Sequence, residues 1–338
     1  MIKRMRLQPR HLRLLGAAVS LVTVGAVVWW AVHQGDPRLP SAPAQLEALA
    51  GAVAAYAAGT ILRAERWLLL LRRSYARPSR ADCYCLTTVG YMGNNVLPVR
   101  GGDLLRVYLM APRAKTAKRT VIGTLLAERV LDVVVLFVFF LVLAYGILSG
   151  VHPPHGVALV VALGLLLLVA GGLAVAIPLV RRRGLLVRAR AFLSPMAVAT
   201  RDLASLPGLA LGAMTVLIWV LEATTYWATG QAAQVHLGAL QSLYLVAVAG
   251  LLVAIPAGPG NAGTLDAGVI VTVKTLHHSG TAALSYLLLL RFVLLVPITA
   301  AGLIVLVVRY GGWAALSRGR RRLGDMAEGR SATEGGPA

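Results

Sequence analysis

Residues 93–110 read GNNVLPVRGGDLLRVYLM, and the architecture turns on where that stretch lies. It holds an Asn pair, a Pro, a Gly pair, two Arg and an Asp. The surrounding chain of 338 residues is 58% hydrophobic and 14% charged, with a mean hydropathy of +0.74. Such a chain cannot form an ordinary soluble core. On either side of the stretch, apolar segments of about 18 or more residues with few charges recur near 14–32, 45–71, 119–148, 157–180, 208–231 and 283–308. Each is long enough to span a bilayer, so the expected class is an all-α polytopic membrane protein.

A net charge of +20 and a pI near 11.2 raise the question of nucleic acid. The positions of the basic residues answer it. With a cytoplasmic N-terminus, 27 of the 33 Lys and Arg fall in inner segments and one, Arg38, in an outer loop. That is the positive-inside pattern. No aromatic-interleaved basic face accompanies the charge, so nucleic acid is not an expected partner. The basic start and Ala42-Pro43-Ala44 resemble a signal peptide, but the apolar run is long and the small residues lie beyond it, which favours an uncleaved first helix. Two cysteines, Cys83 and Cys85, are too few for a disulfide framework or a four-ligand metal site and read as apolar fillers. No metal is expected.

Counting crossings places the quoted stretch. Helices near 14–32, 45–71 and 119–148 leave the chain outside at VHPPHG (151–156), so residues 82–110 must enter and return on the cytoplasmic side. By the same count, residues 241–277 dip in from the outer face before the last helix runs inward. The expectation is six full spans plus two re-entrant helical hairpins, with eight plain spans as the alternative. The first membrane repeat takes residues 1–150 and the second, inverted in topology, residues 151–310. A basic, then disordered, cytoplasmic tail takes 311–338. LPVRGGDL (97–104) parallels IPAGPGNAGTLD (255–266). Arg129 follows Pro98 by 31 positions and Arg291 follows Pro256 by 35. Inverted repeats with broken helices place a substrate site between the repeats at the midplane.

The broken segments suggest chemistry. Gly101 and Gly102, and Gly260 and Gly263, permit tight turns and close backbone approach, while Pro98, Pro256 and Pro259 stop the incoming helices. New half-helices then start near Asp103 and Thr264. Their N-terminal amides, aimed at the membrane middle, suit an anion. Arg100 and Arg106 carry forks that match phosphate, or are charges at the cytoplasmic edge. Asp103 and Asp266 either cap their half-helices or join the site, and Asn94, Asn95 and Asn261 read as turn amides. In AERVLD (127–132), Glu128 and Asp132 share a helix face and need Arg129 or a hairpin arginine to neutralise them. An ion-pair network and direct substrate contact remain open there. Glu222 and Arg291 are expected to pair with each other, Lys274 to snorkel, and Glu65 and Arg66 to sit near the inner interface beside Trp67.

No catalytic constellation or nucleotide loop is present, so no enzyme activity and no cofactor are expected. Taken together, NNVLPVRGGDLLR (94–106), ERVLD (128–132) and PAGPGNAGTLD (256–266) resemble the flippase-like family, the transmembrane region of lysylphosphatidylglycerol synthases and its stand-alone relatives. The resemblance covers roughly residues 12–310. It implies a multi-pass protein of a bacterial-type cytoplasmic (inner) membrane, both termini cytoplasmic, that moves a polar- or phosphate-headed lipid between leaflets. It also implies a stand-alone member without the synthase domain. Asp266 stands where such proteins usually carry Glu. Membrane lipids are then the expected partners, with a separate lipid synthase or glycosyltransferase and a second copy of the chain as candidates. The competing readings are a solute or ion transporter, and a non-transporting partner of such an enzyme.

Overall fold

The computed structural model describes residues 39–97, 101–147, 206–253 and 259–311. The segments expected near 14–32 and 157–180, the turn at 151–156, the tail from 312, and Pro98, Arg100 and Pro256 lie outside the described residues. All the described elements are helical. In chain order they are α1 (Pro43–Arg73), α2 (Arg80–Val96), α3 (Gly101–Arg113), α4 (Lys118–Leu141), α5 (Leu206–Ala232), α6 (Ala239–Val253), α7 (Thr264–Thr275) and α8 (Gly280–Tyr310). A π-helical turn, Val142–Ile147, continues α4, and a 3-10 turn, Pro259–Asn261, precedes α7.

Local chemistry sets the ends. Pro43 occupies the first turn of α1, where its missing amide costs nothing, and Arg72 and Arg73 sit in the last turn against the carbonyl dipole. Ser79 starts α2 by accepting from the Asp82 amide at 3.0 Å, and Ser279 starts α8 by accepting from the Ala282 amide at 3.2 Å. Gly311 ends α8 in the left-handed region. Inside the apolar helices, Thr60, Thr215, Thr225 and Thr229 turn their hydroxyls back onto carbonyls one turn earlier. This satisfies each hydroxyl hydrogen within its own helix.

The same order occurs twice: a long helix, a pair of short helices, a long helix. Packing repeats it as well. α1 lies along α5; α2 packs on α8 as α6 packs on α4; α1 meets α2 as α5 meets α6; and α3 meets α4 as α7 meets α8. A two-fold exchange of the two sets produces this pattern. The pairs α2–α3 and α6–α7 overlap the sequence segments 82–110 and 241–277. Three helices, Pro43–Arg73, Gly208–Ala232 and Gly280–Tyr310, are long and apolar enough to cross a membrane. α4 is of comparable length but carries Glu128, Arg129 and Asp132 in its middle.

Glycine brings the first short pair together. A Cβ on Gly102 would lie 1.8 Å from the Gly90 carbonyl oxygen, and one on Gly93 would lie 2.6 Å from the Gly102 Cα. In the second pair the turn needs left-handed backbone: Gly260 has φ 60°, Asn261 φ 54° and Gly263 φ 94°. Two large apolar cores result, beside a small cluster of Leu70, Ala127, Leu131 and Leu211. One joins α6 and α7 to the ends of α1, α4, α5 and α8 through residues such as Tyr56, Leu136, Tyr244 and Leu290. The other joins α2 and α3 to α1, α4 and α8 through Trp67, Met92, Met110, Val121 and Leu306, and Cys83 is one of its fillers. Along α1 and α4, a layer of buried charge separates the two.

Candidate functional site

That layer is built from arginines that each find an acid on another helix. Arg63 of α1 donates from Nη2 to Glu222 Oε2 of α5 at 2.8 Å. One turn along, Arg66 donates from Nη1 to Asp132 Oδ1 of α4 at 2.7 Å and to Thr215 Oγ1 of α5 at 2.9 Å. Trp219 Nε1 donates to the same Asp132 oxygen at 3.3 Å. Arg106 of α3 donates from Nη2 to Glu128 Oε2 at 3.1 Å, with its guanidinium carbon 3.9 Å from the centre of the Trp67 ring. Trp67 is itself held by Nε1 donating to Thr124 Oγ1 at 3.2 Å. All of these arginines and acids are more than nine-tenths buried. A buried charge without a partner costs several kcal/mol, so this pairing is a condition of folding.

Several expectations are corrected here. Glu222 and Arg291 do not pair. Glu222 takes Arg63, while Arg291 donates from Nε to Asp266 Oδ1 at 2.8 Å and from Nη1 to the Gly260 carbonyl at 2.8 Å. Each partner is the nearer one once α5 packs along α1 and α7 packs on α8. Arg66, expected beside Trp67, has a side chain 2% exposed and tied into the charge layer. Glu65, on the other face of α1, pairs with Arg80 at 2.9 Å and accepts from Tyr84. Glu128 does take an arginine of the 82–110 segment, Arg106, as expected, whereas Asp132 takes Arg66 of α1. Arg129 stands farther off, 3.7 Å from Asp132 Oδ2 and 3.8 Å from Asp103 Oδ1.

The N-termini of the second short helices are also partly occupied by the chain. Asn94 Oδ1 accepts from the Asp103 amide at 3.2 Å, and Asn94 Nδ2 donates to Asp103 Oδ1 at 3.3 Å. Asp266 Oδ2 accepts from the Gly263 amide at 2.9 Å. The expectation of free amides aimed at an anion is therefore corrected at these two positions. Asn94 caps α3, and Asp266 caps α7. Asn95 ties α2 to α8 by donating from Nδ2 to Thr299 Oγ1 at 3.0 Å.

A cavity of about 140 Å³ opens beside this layer, with walls from both sets of helices. From the first come Tyr56, Arg63, Tyr91, Asn94, Asn95, Arg129 and Asp132. From the second come Trp219, Glu222, Tyr226, Gly250, Val253, Gly260, Asn261, Leu265, Leu294 and Leu295. Of the residues singled out from sequence, Asn94, Asn95, Arg129, Asp132, Glu222, Gly260 and Asn261 line it. Gly101, Gly102, Asp103, Arg106, Glu128, Gly263, Asp266 and Arg291 stand behind the wall as packing or pairing residues, and Arg100 lies outside the described residues. Sequence reading missed Arg63, Tyr56, Tyr91, Trp219 and Tyr226. Arg63 carried a signal, since an ionised residue inside an apolar span marks a functional or paired position. The aromatic residues carried none, being ordinary members of apolar helices.

Five buried or half-buried arginines (63, 66, 106, 129 and 291) face five acids (103, 128, 132, 222 and 266) among the described residues. The arrangement offers paired charges, amide groups and aromatic faces to a polar guest. Those described residues include no group of His, Cys, Asp and Glu able to hold a metal ion.

The family model described as Lysylphosphatidylglycerol synthase TM region matches residues 14–302. Nothing among the curated proteins or the solved structures matches the chain.

Proposed function

The chain belongs to the lysylphosphatidylglycerol synthase TM-region family, and from that premise we propose that it is a lipid translocase. It carries the head group of a polar- or phosphate-headed lipid from one leaflet to the other while the apolar chains stay in the bilayer. The observation that carries this reading is the cavity between the two sets of helices, walled by Arg63, Arg129, Asp132 and Glu222 and flanked by apolar cores. A head group crossing hydrocarbon needs such a polar refuge, because each charged group at the centre of a bilayer costs about 2.5–3.5 kcal/mol even on insertion scales.

In this reading the two sets of helices are inverted repeats and the short pairs are re-entrant hairpins. The lengths support it. At 1.5 Å per residue the 17 residues of α2 reach about 26 Å and the 12 of α7 about 18 Å, short of the ~30 Å hydrocarbon thickness. α1 and α8, with 31 residues each, exceed it. Irregular backbone between short helices is tolerated at membrane depth only where protein or a wet cavity surrounds it, and Gly260 and Asn261 line the cavity. The repeats divide near residue 150, and both termini face the cytoplasm of a bacterial-type inner membrane. The reading requires no bond to be made or broken.

The test is leaflet exchange. Purified protein in liposomes is presented with a panel of head-group-labelled lipids, phosphodiester, phosphomonoester and neutral. Exchange of at least one class above that of protein-free vesicles supports the proposal; exchange of none refutes it.

A further inference from the structure

The two sets of helices carry one device twice and set it differently. In each, an arginine on the last long helix faces an aspartate in the first turn of the second short helix: Arg291 with Asp266, and Arg129 with Asp103. Arg291 is fully engaged. Its Nε and Nη2 donate to Asp266 and its Nη1 to the Gly260 carbonyl, and its side chain is 17% exposed. Arg129 is not engaged in this way. Its nitrogens stand 3.8 Å from Asp103 and 3.7 Å from Asp132, beyond hydrogen-bond range, and its side chain is 37% exposed in the cavity wall. Of the two counterparts, only Arg129 offers its planar fork to a guest.

Arg63 lines the same cavity. Glu222 holds its Nη2, its guanidinium carbon lies 5.5 Å from the Trp219 ring and 5.9 Å from the Tyr91 ring, and its Nη1 is buried with no hydrogen-bond partner. That nitrogen packs toward Gly59, where an added Cβ would lie 3.4 Å from it, so Arg63 presents charge rather than a free donor to the cavity. The open fork of Arg129 beside the Arg63 charge calls for several oxygens on one small anionic group, which is the geometry of a phosphate. The charges lining the cavity balance, Arg63 and Arg129 against Asp132 and Glu222. A singly charged phosphodiester therefore leaves less uncompensated charge than a doubly charged phosphomonoester.

We propose that Arg129, with Arg63 in the same cavity, binds the phosphodiester of the translocated lipid, and that this phosphodiester takes Arg129 from Asp103 and Asp132. The proposal rests on the translocase reading. It also links occupancy to the first hairpin, because Asp103 belongs to α3 and loses one cation when the lipid enters.

The test is calorimetric titration of the full chain in detergent with dihexanoyl phosphatidylglycerol, a soluble phosphodiester lipid. Parallel arms use dihexanoyl phosphatidic acid, dihexanoyl glycerol and inorganic phosphate. The expected order is phosphodiester first, phosphomonoester weaker, and the phosphate-free lipid and free phosphate weakest. Arg129→Gln is expected to weaken phosphodiester binding by about tenfold to a hundredfold, the loss of one or two charge-assisted hydrogen bonds. Arg129→Lys, which keeps charge but not the fork, should lose less. Asp103→Asn, which removes a competitor for Arg129, should tighten binding several-fold, as a check should Arg129→Gln fail to fold. Folded Arg129→Gln protein binding like wild type overturns the proposal. So does an Asp103→Asn variant with unchanged or weaker affinity, a phosphate-free lipid that binds equally, or free phosphate that binds as tightly as the lipid. Wild type that binds the phosphodiester without exchanging lipid in liposomes removes the translocase reading alone. Wild type that exchanges lipid while Arg129→Gln binds normally removes this site alone.

Discussion

Replacing Glu222 by Gln leaves Arg63 as a buried cation whose only hydrogen-bonded acid is gone. Arg63 and Glu222 side chains are 8% and 10% exposed and meet at 2.8 Å, so neither can turn to bulk water without moving α1 away from α5. Breaking such a pair by removing one partner costs about 3–5 kcal/mol, whereas replacing both partners with neutral groups of similar volume is often close to neutral. Glu222→Gln alone should therefore lower stability by an amount in that range, and Arg63→Met with Glu222→Gln should recover most of it. Arg63→Met alone leaves a buried carboxylate and should resemble Glu222→Gln. Reversible SDS unfolding in mixed micelles, read by tryptophan fluorescence, measures all three variants against wild type. Strictly additive losses, with the double variant worse than either single one, would refute the claim that this ion pair joins the two sets of helices.

Four further outcomes are expected. Gly102→Ala should abolish folding or nearly so, because its Cβ would sit 1.8 Å from the Gly90 carbonyl; Gly212→Ala, with open space around its Cβ, should be silent by the same size-exclusion profile. Arg291→Gln should lower the thermal midpoint by leaving the Asp266 carboxylate and the Gly260 carbonyl without their donor, and Asp266→Asn combined with it should restore part of the loss. Single cysteines replacing Pro153 and His236 should label from outside, and those replacing Lys115 and Leu185 from inside; labelling of 115 and 236 from the same side would sink the inverted topology. Trp67→Ala should destabilise by about 3–5 kcal/mol in the same SDS assay, since a fully buried ring that also covers Arg106 is lost.

Segment positions were legible in the sequence because hydropathy and charge act along the chain. The expected stretches 45–71, 208–231 and 283–308 match α1, α5 and α8 to within a few residues at each end, and the two broken segments fall on the two short-helix pairs. The Pro-Gly punctuation and the matched offsets of Arg129 and Arg291 pointed to a repeated device, and both arginines do face the aspartate of the neighbouring short helix. Partner choice was not legible. Arg63 meets Glu222 across 159 residues and Arg66 meets Asp132 across 66, and such pairs depend on how each helix is rotated about its axis. In helices apolar on every side, the hydrophobic pattern does not fix that rotation. Arg66 therefore read as an interface charge beside Trp67, although the packing of α1 against α4 and α5 buries it.

If the head group passes through the cavity between the two sets of helices, plugging that cavity stops leaflet exchange. Leu295 lines it, is half-buried and has an apolar side chain whose loss breaks no charge pair. A Leu295→Cys variant, with Cys85 replaced by Ser and Cys83 left in its buried site, is labelled with a bulky cationic methanethiosulfonate. It is then reconstituted in liposomes for leaflet exchange of a phosphodiester lipid. Exchange by the unlabelled variant, loss of exchange in proportion to the labelled fraction measured by mass spectrometry, and recovery on reduction are expected. Full labelling with exchange at the unlabelled rate would contradict passage through this cavity.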